Sequence, residues 1–171
     1  MDQLWAPWRK AYIRPKASPL SPKGCLFCRL DSEKRDKKNY ILKRTRHSFA
    51  VLNLYPYNNG HTLIVPRRHG SRVETLSAAE KLDWLALHDE ILNALKRAMD
   101  PDGFNVGINL GKSAGAGIPD HLHLHIVPRW RGDTNFMPVL TKTKVISESL
   151  DSAYVLIAAQ LGRKDRKKRG R

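Results

Sequence analysis

Three histidines at alternating positions are the strongest chemical feature of the sequence. His121, His123 and His125 lie within one pentapeptide, although the chain contains seven histidines in all. Leu122 and Leu124 separate them, so the pattern predicts a strand that carries its imidazoles on one face, about 6.6 Å apart. Burying three titratable groups together is costly unless they have partners, and packing alone therefore does not account for them.

Two kinds of chemistry fit this set of histidines. In the first, a neutral imidazole attacks phosphorus and later leaves, provided that its far nitrogen is held as the donor. The central His123 suits this role because a histidine on either side could bind phosphate oxygens and handle protons. In the second, a His-x-His pair chelates zinc and leaves one position open for water. Asp120 is the one nearby carboxylate that could assist such a zinc hydrolase.

A glycine-rich turn at residues 111–117 comes directly before the histidines. Backbone N–H groups of such a turn can approach an anion closely, because glycine has no side chain to keep it away. Ser113 could add a hydroxyl group. Hairpins also use glycine, so it is the position of the turn beside the histidines that indicates a phosphate site.

The elements that position these residues predict an α+β fold around an antiparallel sheet. Hydrophobic periodicity and turn residues predict a strand pair closed by an Asn-Gly turn, a long helix capped by Ser77 with Glu80 three residues on, and a short closing helix. The predicted strands are 48–54, 61–66, 104–110 and 121–127, and the predicted helices are 77–99 and 144–161. Apolar residues at helical spacing in the long helix are Leu82, Leu85, Leu92, Leu95 and Met99.

The chain divides into an arm at 1–24, one domain at 25–161 and a basic tail at 162–171. Four prolines predict irregular structure over residues 1–40, with the arm's Trp5, Trp8 and Tyr12 packed on the domain or on a partner subunit. Apolar runs are too short and too charged to cross a bilayer, and the N-terminus has no secretory pattern. A cytoplasmic location is the default expectation.

The net charge of +15 is concentrated at the two ends of the chain. The tail contributes +6 and the residues before Ser48 contribute +9, whereas the middle is balanced. We expect the tail to be a disordered, solvated end, since it has no aromatic residues and no nucleic-acid reading motif is visible. Specific nucleic-acid binding is therefore not expected, while a basic surface would attract polyanionic small molecules such as nucleotides.

Cys25 and Cys28 form the only cysteine pair in the chain. A Cys-x-x-Cys spacing in a cytosolic protein indicates a metal site or a redox pair before a structural disulfide. A thioredoxin-type pair opens a helix. Here the preceding Pro22-Lys23-Gly24 and the enclosed Phe27 favour a loop instead.

Taken together, the motifs resemble the histidine-triad (HIT) family over about residues 25–130. The resemblance rests on the triad at 121–127, on Gly60-His61 with the strand that follows, and on Leu52-Asn53-Leu54-Tyr55-Pro56, all in the expected order. Residues 4–9, 114–118 and 128–137 are similar to a narrower branch, which contains bacterial proteins that resemble diadenosine tetraphosphate hydrolases and phosphorylases. The resemblance implies a HIT-like antiparallel sheet, extended across a homodimer.

The resemblance also implies a nucleotide hydrolase or transferase that cleaves dinucleoside polyphosphates at the α-phosphate. By analogy His123 attacks phosphorus and forms an adenylyl-histidine, His125 binds a phosphate oxygen, and water or inorganic phosphate accepts the adenylyl group. Asn53 matches a position that contacts the ribose. The residues implied to bind the adenine nucleotide are Asn53, His61, Asn109, Gly111, Ser113, Gly115, Gly117 and His125.

Some members of the family and their uridylyltransferase relatives bind zinc, and the resemblance implies a structural zinc site here. The four matching positions are Cys25, Cys28, His69 and His121, so that the first triad histidine is a ligand rather than a catalyst. Without a metal, the cysteines would be small buried residues and His69 a polar surface group. His47 and His88 are expected to be ordinary residues.

One departure from the family affects the choice of substrate and acceptor. Better-known HIT hydrolases carry Gln-Ser/Thr just before the triad, where the hydroxyl assists the leaving group. Gly117-Ile118 occupies about that place and provides no side-chain donor. The departure leaves open whether water or inorganic phosphate is the acceptor. The alternative functions are an adenosine phosphoramidate hydrolase, or a nucleotide-binding adaptor of the same fold with little turnover.

Overall fold

An antiparallel five-stranded sheet is the frame of the described part of the chain. The structure is a computed structural model, and it describes residues 24–134 and 145–162. In chain order the elements are α1 (Leu26–Glu33), β1 (Ile41–Arg44), β2 (Ser48–Leu52), β3 (Thr62–Pro66), α2 (Ala78–Met99), β4 (Gly103–Ile108), β5 (Leu124–Arg129) and α3 (Leu150–Ala158). The α+β prediction is confirmed.

The strand order is β1-β2-β3-β5-β4, which places the histidine-bearing β5 between two neighbours. β2 and β3 form the predicted hairpin, with Leu52 opposite Thr62. His125 on β5 lies opposite Leu63 of β3 and Gly107 of β4. Extension of this sheet across a dimer involves a second chain and stays a prediction.

The long helix α2 begins as predicted. The Ser77 hydroxyl accepts a hydrogen bond from the amide of Glu80, and the Glu80 carboxylate accepts one from the amide of Ser77. This reciprocal capping satisfies two amides that a helix leaves unpaired at its start. The buried face differs from the predicted one, because Leu82 and Leu85 are exposed while Trp84 and Ile91 are buried on the sheet.

The two faces of the sheet carry separate apolar clusters. On the α2 face, Leu122, Leu124 and Ile126 pack with the core residues of α2 and α3, as the alternation predicted. On the other face, Phe27 of α1 packs with a second group of apolar side chains from the sheet. His125 shares this second face, since it is opposite Leu63, a member of that cluster.

Two local predictions were wrong because contacts with other segments of the chain decide the structure, and one strand was not predicted. The cysteine pair opens helix α1, which buries Phe27 and whose carbonyl groups at Leu30 and Asp31 accept hydrogen bonds from the Arg44 guanidinium. Strand β1 was not predicted. β5 begins at Leu124 instead of residue 121, because the Leu122 amide donates to the Gly70 carbonyl instead of joining the ladder.

Other expectations fall on residues outside the described ranges. These are the packing of the arm at 1–23 and the state of the tail at 163–171. The closing helix predicted within 144–161 is α3, which is shorter than that range. Within residues 24–134 and 145–162, none of the helices has the length and apolar character needed to cross a membrane.

Candidate active site

His123 is held in one protonation state by the backbone next to it. Its Nδ1 lies 2.8 Å from the carbonyl oxygen of His121. A carbonyl oxygen only accepts, so Nδ1 carries the proton and Nε2 carries the lone pair of the neutral ring. His123 is only 5% exposed, and burial lowers its pKa. The residue is therefore a neutral imidazole whose Nε2 can act as a nucleophile.

His125 is held in the opposite tautomer through His61. The amide of Tyr57 donates to His61 Nδ1 at 3.0 Å, so the proton of the neutral His61 is on Nε2, which lies 2.9 Å from His125 Nδ1. His125 Nδ1 therefore accepts, and its own proton is on Nε2. This Nε2 is buried and has no hydrogen-bond partner among the described residues. The His125 Nε2–H group could therefore donate a hydrogen bond to a phosphate oxygen.

The electrostatic setting keeps His125 neutral. Burial, and then the neighbouring His123, lower its pKa to about 4. The ring of Tyr57 stacks on the imidazole with a centroid distance of 6.0 Å and an interplanar angle of 9°. A neutral imidazole that donates from Nε2 can bind an anion without first taking up a proton.

Asn53 and Asn109 both lie near the histidines of the site. Asn53, just after β2, has its Nδ2 3.3 Å from His61 Nδ1, and its Oδ1 accepts from the Tyr55 amide. Asn109 lies with His125 in the wall of a pocket of about 200 Å³, which the ring of Tyr57 also lines. The structure thus places both asparagines in the region of His125.

The remaining residues expected at the nucleotide occupy different settings. His61 is 1% exposed, and its Nε2 donates to His125 Nδ1. Gly111 and Gly115 have φ values of +81° and +87°, which glycine adopts without strain, and they flank a short 3₁₀ turn that contains Ser113. Gly117 lines a second cavity, of about 430 Å³, on the side of the cysteines.

The two cysteines, His69 and His121 converge on one point. Their four ligand atoms all lie within 4.8 Å of one another, with Cys25 Sγ 3.1 Å and Cys28 Sγ 3.6 Å from His121 Nδ1. His121 Nε2 donates to the Pro66 carbonyl at 2.8 Å, which leaves Nδ1 as the lone-pair nitrogen facing the sulfurs. Two sulfurs and two imidazole nitrogens form a donor set that zinc binds tetrahedrally, so these residues could hold a metal ion.

The HIT domain family matches residues 34–132, which is more than half of the chain. The chain belongs to the HIT family. The AP-4-A phosphorylase of Mycobacterium tuberculosis strain H37Rv is 37% identical over 95% of this chain and 86% of its own length. Adenosine 5'-monophosphoramidase HNT1 of Saccharomyces cerevisiae is 32% identical over 62% of this chain and 63% of its own.

A solved HIT structure is similar in fold and contains a metal. It is a Zn-bound histidine triad family protein from Mycobacterium smegmatis, with a TM-score of 0.64 and 25% identity, covering 80% of this chain and 92% of that one. The HIT fold predicted from the motifs is confirmed.

Sequence reasoning missed several residues that support the HIT site. The sequence predicts only a turn at Tyr57, although its amide donates to His61 and its ring stacks on His125. Asp133 accepts hydrogen bonds from the Arg129 guanidinium and from Asn58, which is next to Tyr57 in the turn. The signal for Tyr57 was its place between Asn53 and His61, two positions that were identified.

Proposed function

We propose that this HIT protein is a nucleotidyl hydrolase or transferase that cleaves dinucleoside polyphosphates, such as diadenosine tetraphosphate, at the α-phosphate. The observation that carries the proposal is the hydrogen bond from His123 Nδ1 to the His121 carbonyl, because it directs the lone pair to Nε2. Similarity to an AP-4-A phosphorylase over 95% of the chain supports the substrate class.

In the first step, the Nε2 lone pair of His123 attacks the α-phosphorus. The nitrogen–phosphorus bond forms while the bond to the bridging oxygen breaks, and the departing nucleotide takes the electron pair. His125 donates from Nε2 to a non-bridging phosphate oxygen. The His121 carbonyl stabilises the positive charge that develops on the His123 ring.

In the second step, water or inorganic phosphate attacks the same phosphorus. The nitrogen–phosphorus bond breaks, its electron pair returns to Nε2, and the acceptor releases a proton to solvent. His123 is then a neutral imidazole again. Asn53, Asn109 and the turn at 111–117 bind the ribose and phosphates in this scheme, and His61 acts through His125.

The residues before the triad favour a leaving group that needs no proton. Gly117 and Ile118 have no side-chain donor. A polyphosphate departs as a stable anion at neutral pH, whereas the amine of a phosphoramidate must be protonated as it leaves. Similarity to an adenosine 5'-monophosphoramidase makes phosphoramidate hydrolysis the second candidate.

We further propose that Cys25, Cys28, His69 and His121 hold a structural zinc ion. Such an ion crosslinks segments that are distant in sequence, and it supplies no step of the reaction. The donor set and the hydrogen bond from His121 Nε2 to the Pro66 carbonyl support this role. A homodimer is also proposed, with β4 at one edge of the described sheet.

Product analysis tests the proposal and distinguishes the two acceptors. We expect diadenosine tetraphosphate to give AMP and ATP if water is the acceptor, or ADP and ATP only in the presence of inorganic phosphate. His123→Ala should abolish turnover and the acid-labile adenylyl-protein adduct, while His88→Ala on α2 should keep both. Cleavage only of adenosine phosphoramidate would favour the second candidate, and no product from either substrate would favour an adaptor.

A further inference from the structure

Phe27 connects the cysteine helix to the catalytic strand. It lies between the two cysteines in sequence, in the first turn of α1, and is 2% exposed. Its ring centroid is 5.3 Å from that of His121 and 5.2 Å from that of His123. One apolar ring therefore contacts both a candidate metal ligand and the candidate nucleophile.

The hydrogen bond at Nδ1 does not by itself fix the plane of the His123 ring. An imidazole that is held only at Nδ1 can still rotate about this hydrogen bond. Such a rotation displaces Nε2, which lies on the opposite side of the ring. Phe27 meets the ring at 51° and His125 meets it at 56°, with a centroid distance of 5.0 Å. Tilted aromatic contacts of this length are favourable and oppose this rotation.

The position of Phe27 is itself fixed from both ends of α1. At the C-terminal end, the Arg44 guanidinium donates to the carbonyl oxygens of Leu30 and Asp31, each at 3.0 Å. At the N-terminal end, Cys25 lies against His121. The Phe27 side chain is thus presented to the histidines by a helix that is tied to the sheet.

We propose that Phe27 is a positioning residue for His123: it holds the imidazole plane so that Nε2 points in line at the α-phosphorus. This inference rests on the proposed function, in which His123 is the nucleophile. In-line attack depends strongly on placement, and a displacement of about 1 Å can cost as much as a hundredfold in rate. The cysteine helix is then part of the support of the nucleophile.

A matched pair of core variants separates positioning from packing. Phe49 belongs to the same apolar cluster and is fully buried. Its ring centroid lies 6.5 Å from that of Phe27. Phe27→Leu and Phe49→Leu remove the same atoms from the same cluster. We expect Phe27→Leu to lower kcat for diadenosine tetraphosphate by about tenfold with KM within about twofold, and Phe49→Leu to keep kcat within about twofold.

The nitrogen-15 NMR spectrum of the imidazoles provides a readout that does not depend on turnover. In the unmodified protein we expect His123 to show a single Nδ1–H tautomer with sharp signals. Phe27→Leu should broaden or shift these signals, while Phe49→Leu should leave them unchanged. Phe27→Met, which keeps more of the side-chain volume, replaces Phe27→Leu if the latter does not fold.

Two results would overturn the inference. Unchanged kcat and unchanged His123 signals in Phe27→Leu would show that the ring does not position the imidazole. Equal losses of kcat in both variants would show that the effect is general packing. His123→Ala is measured in parallel: if it retained turnover, the proposed function would fail and this inference with it, whereas an inactive His123→Ala beside a fully active Phe27→Leu would contradict only the role of Phe27.

Discussion

Backbone carbonyl groups assign different chemistry to neighbouring histidines of identical type. His121 donates from Nε2 to Pro66 and so presents Nδ1, whereas His123 donates from Nδ1 to His121 and so presents Nε2. The first nitrogen faces sulfur atoms and the second is available to phosphorus. The carbonyl that accepts from His123, the candidate nucleophile, belongs to His121, which is itself a candidate metal ligand. The two sites therefore share His121.

At the residue scale, His125 should make the stability of the protein sensitive to acid. Its pKa falls from 6.5 to about 4 on folding because of burial. Between these pH values the unfolded chain binds a proton that the folded chain does not, so the free energy of unfolding should decrease as the pH is lowered from about 6.5 to about 4. Urea unfolding at several pH values would measure this, and His125→Gln should show a flatter dependence.

Asn109→Ala provides the control for this experiment. It changes the pocket beside His125 without removing a titratable group, so it should keep the pH dependence of the unmodified protein. The same dependence in His125→Gln as in the unmodified protein would contradict the assignment.

Much of this residue-scale arrangement was accessible from the sequence. Alternation predicted that Leu122, Leu124 and Ile126 face away from the three imidazoles and pack in the core. The family resemblance gave the four metal-ligand candidates that the structure brings within 4.8 Å. Two contacts were not predictable: the hydrogen bond between His61 and His125, and the ring contact of Phe27 with His123. Both depend on the path of a loop or a short helix across the sheet, which local spacing does not determine.

At the element scale, helix α1 depends on its surroundings. It has eight residues, and its N-cap Cys25 makes no side-chain capping hydrogen bond. Isolated helices of this length are unstable in water. Its stability therefore comes from the burial of Phe27, from Arg44, and from the contacts of its thiols with His69 and His121.

Metal removal should consequently unfold α1 first. We expect a chelator to lower the Tm of zinc-loaded protein by about 5 °C or more, and to leave the Tm of Cys28→Ser unchanged because that variant binds little zinc. Thermal unfolding followed by circular dichroism, together with metal analysis, would check this. Ser32→Ala, on the exposed side of the same helix, should respond like the unmodified protein, and full zinc content in Cys28→Ser would move the site elsewhere.

Elements with strong local signals were predicted and those made by distant contacts were not. The sequence predicts helix α2 from its capping residues and its hydrophobic periodicity, because both signals lie within one continuous segment. The sequence predicts a loop at helix α1, because the Arg44 guanidinium that holds the end of this helix comes from a strand. The start of β5 was misplaced because Gly70, in another loop, removes the Leu122 amide from the sheet.

At the scale of the whole molecule, a net charge of +15 should assist the capture of a polyanionic substrate. Long-range attraction acts on encounter and is screened by salt, so kcat/KM should fall by about tenfold between low and high salt while kcat changes little. Steady-state kinetics on diadenosine tetraphosphate across a salt series would measure this. Deleting residues 163–171 removes seven basic residues and one acidic residue, and it should weaken the salt dependence without lowering kcat.

Two results would contradict this prediction. A kcat/KM that is independent of salt would show that the overall charge does not guide the substrate. A large loss of kcat in the deletion variant would mean that the tail reaches the reacting groups.

The interior position of β5 has a consequence for how readily this histidine-bearing strand can move. The first half of β5, residues 124–126, is paired with both β3 and β4, so its backbone cannot shift there without breaking two ladders. We expect the amide protons of such a strand to be among the slowest to exchange, through openings that approach global unfolding. His123, the proposed nucleophile, therefore adjoins the part of the sheet that we expect to open last. We expect any adjustment to substrates of different length to come from the turns around it.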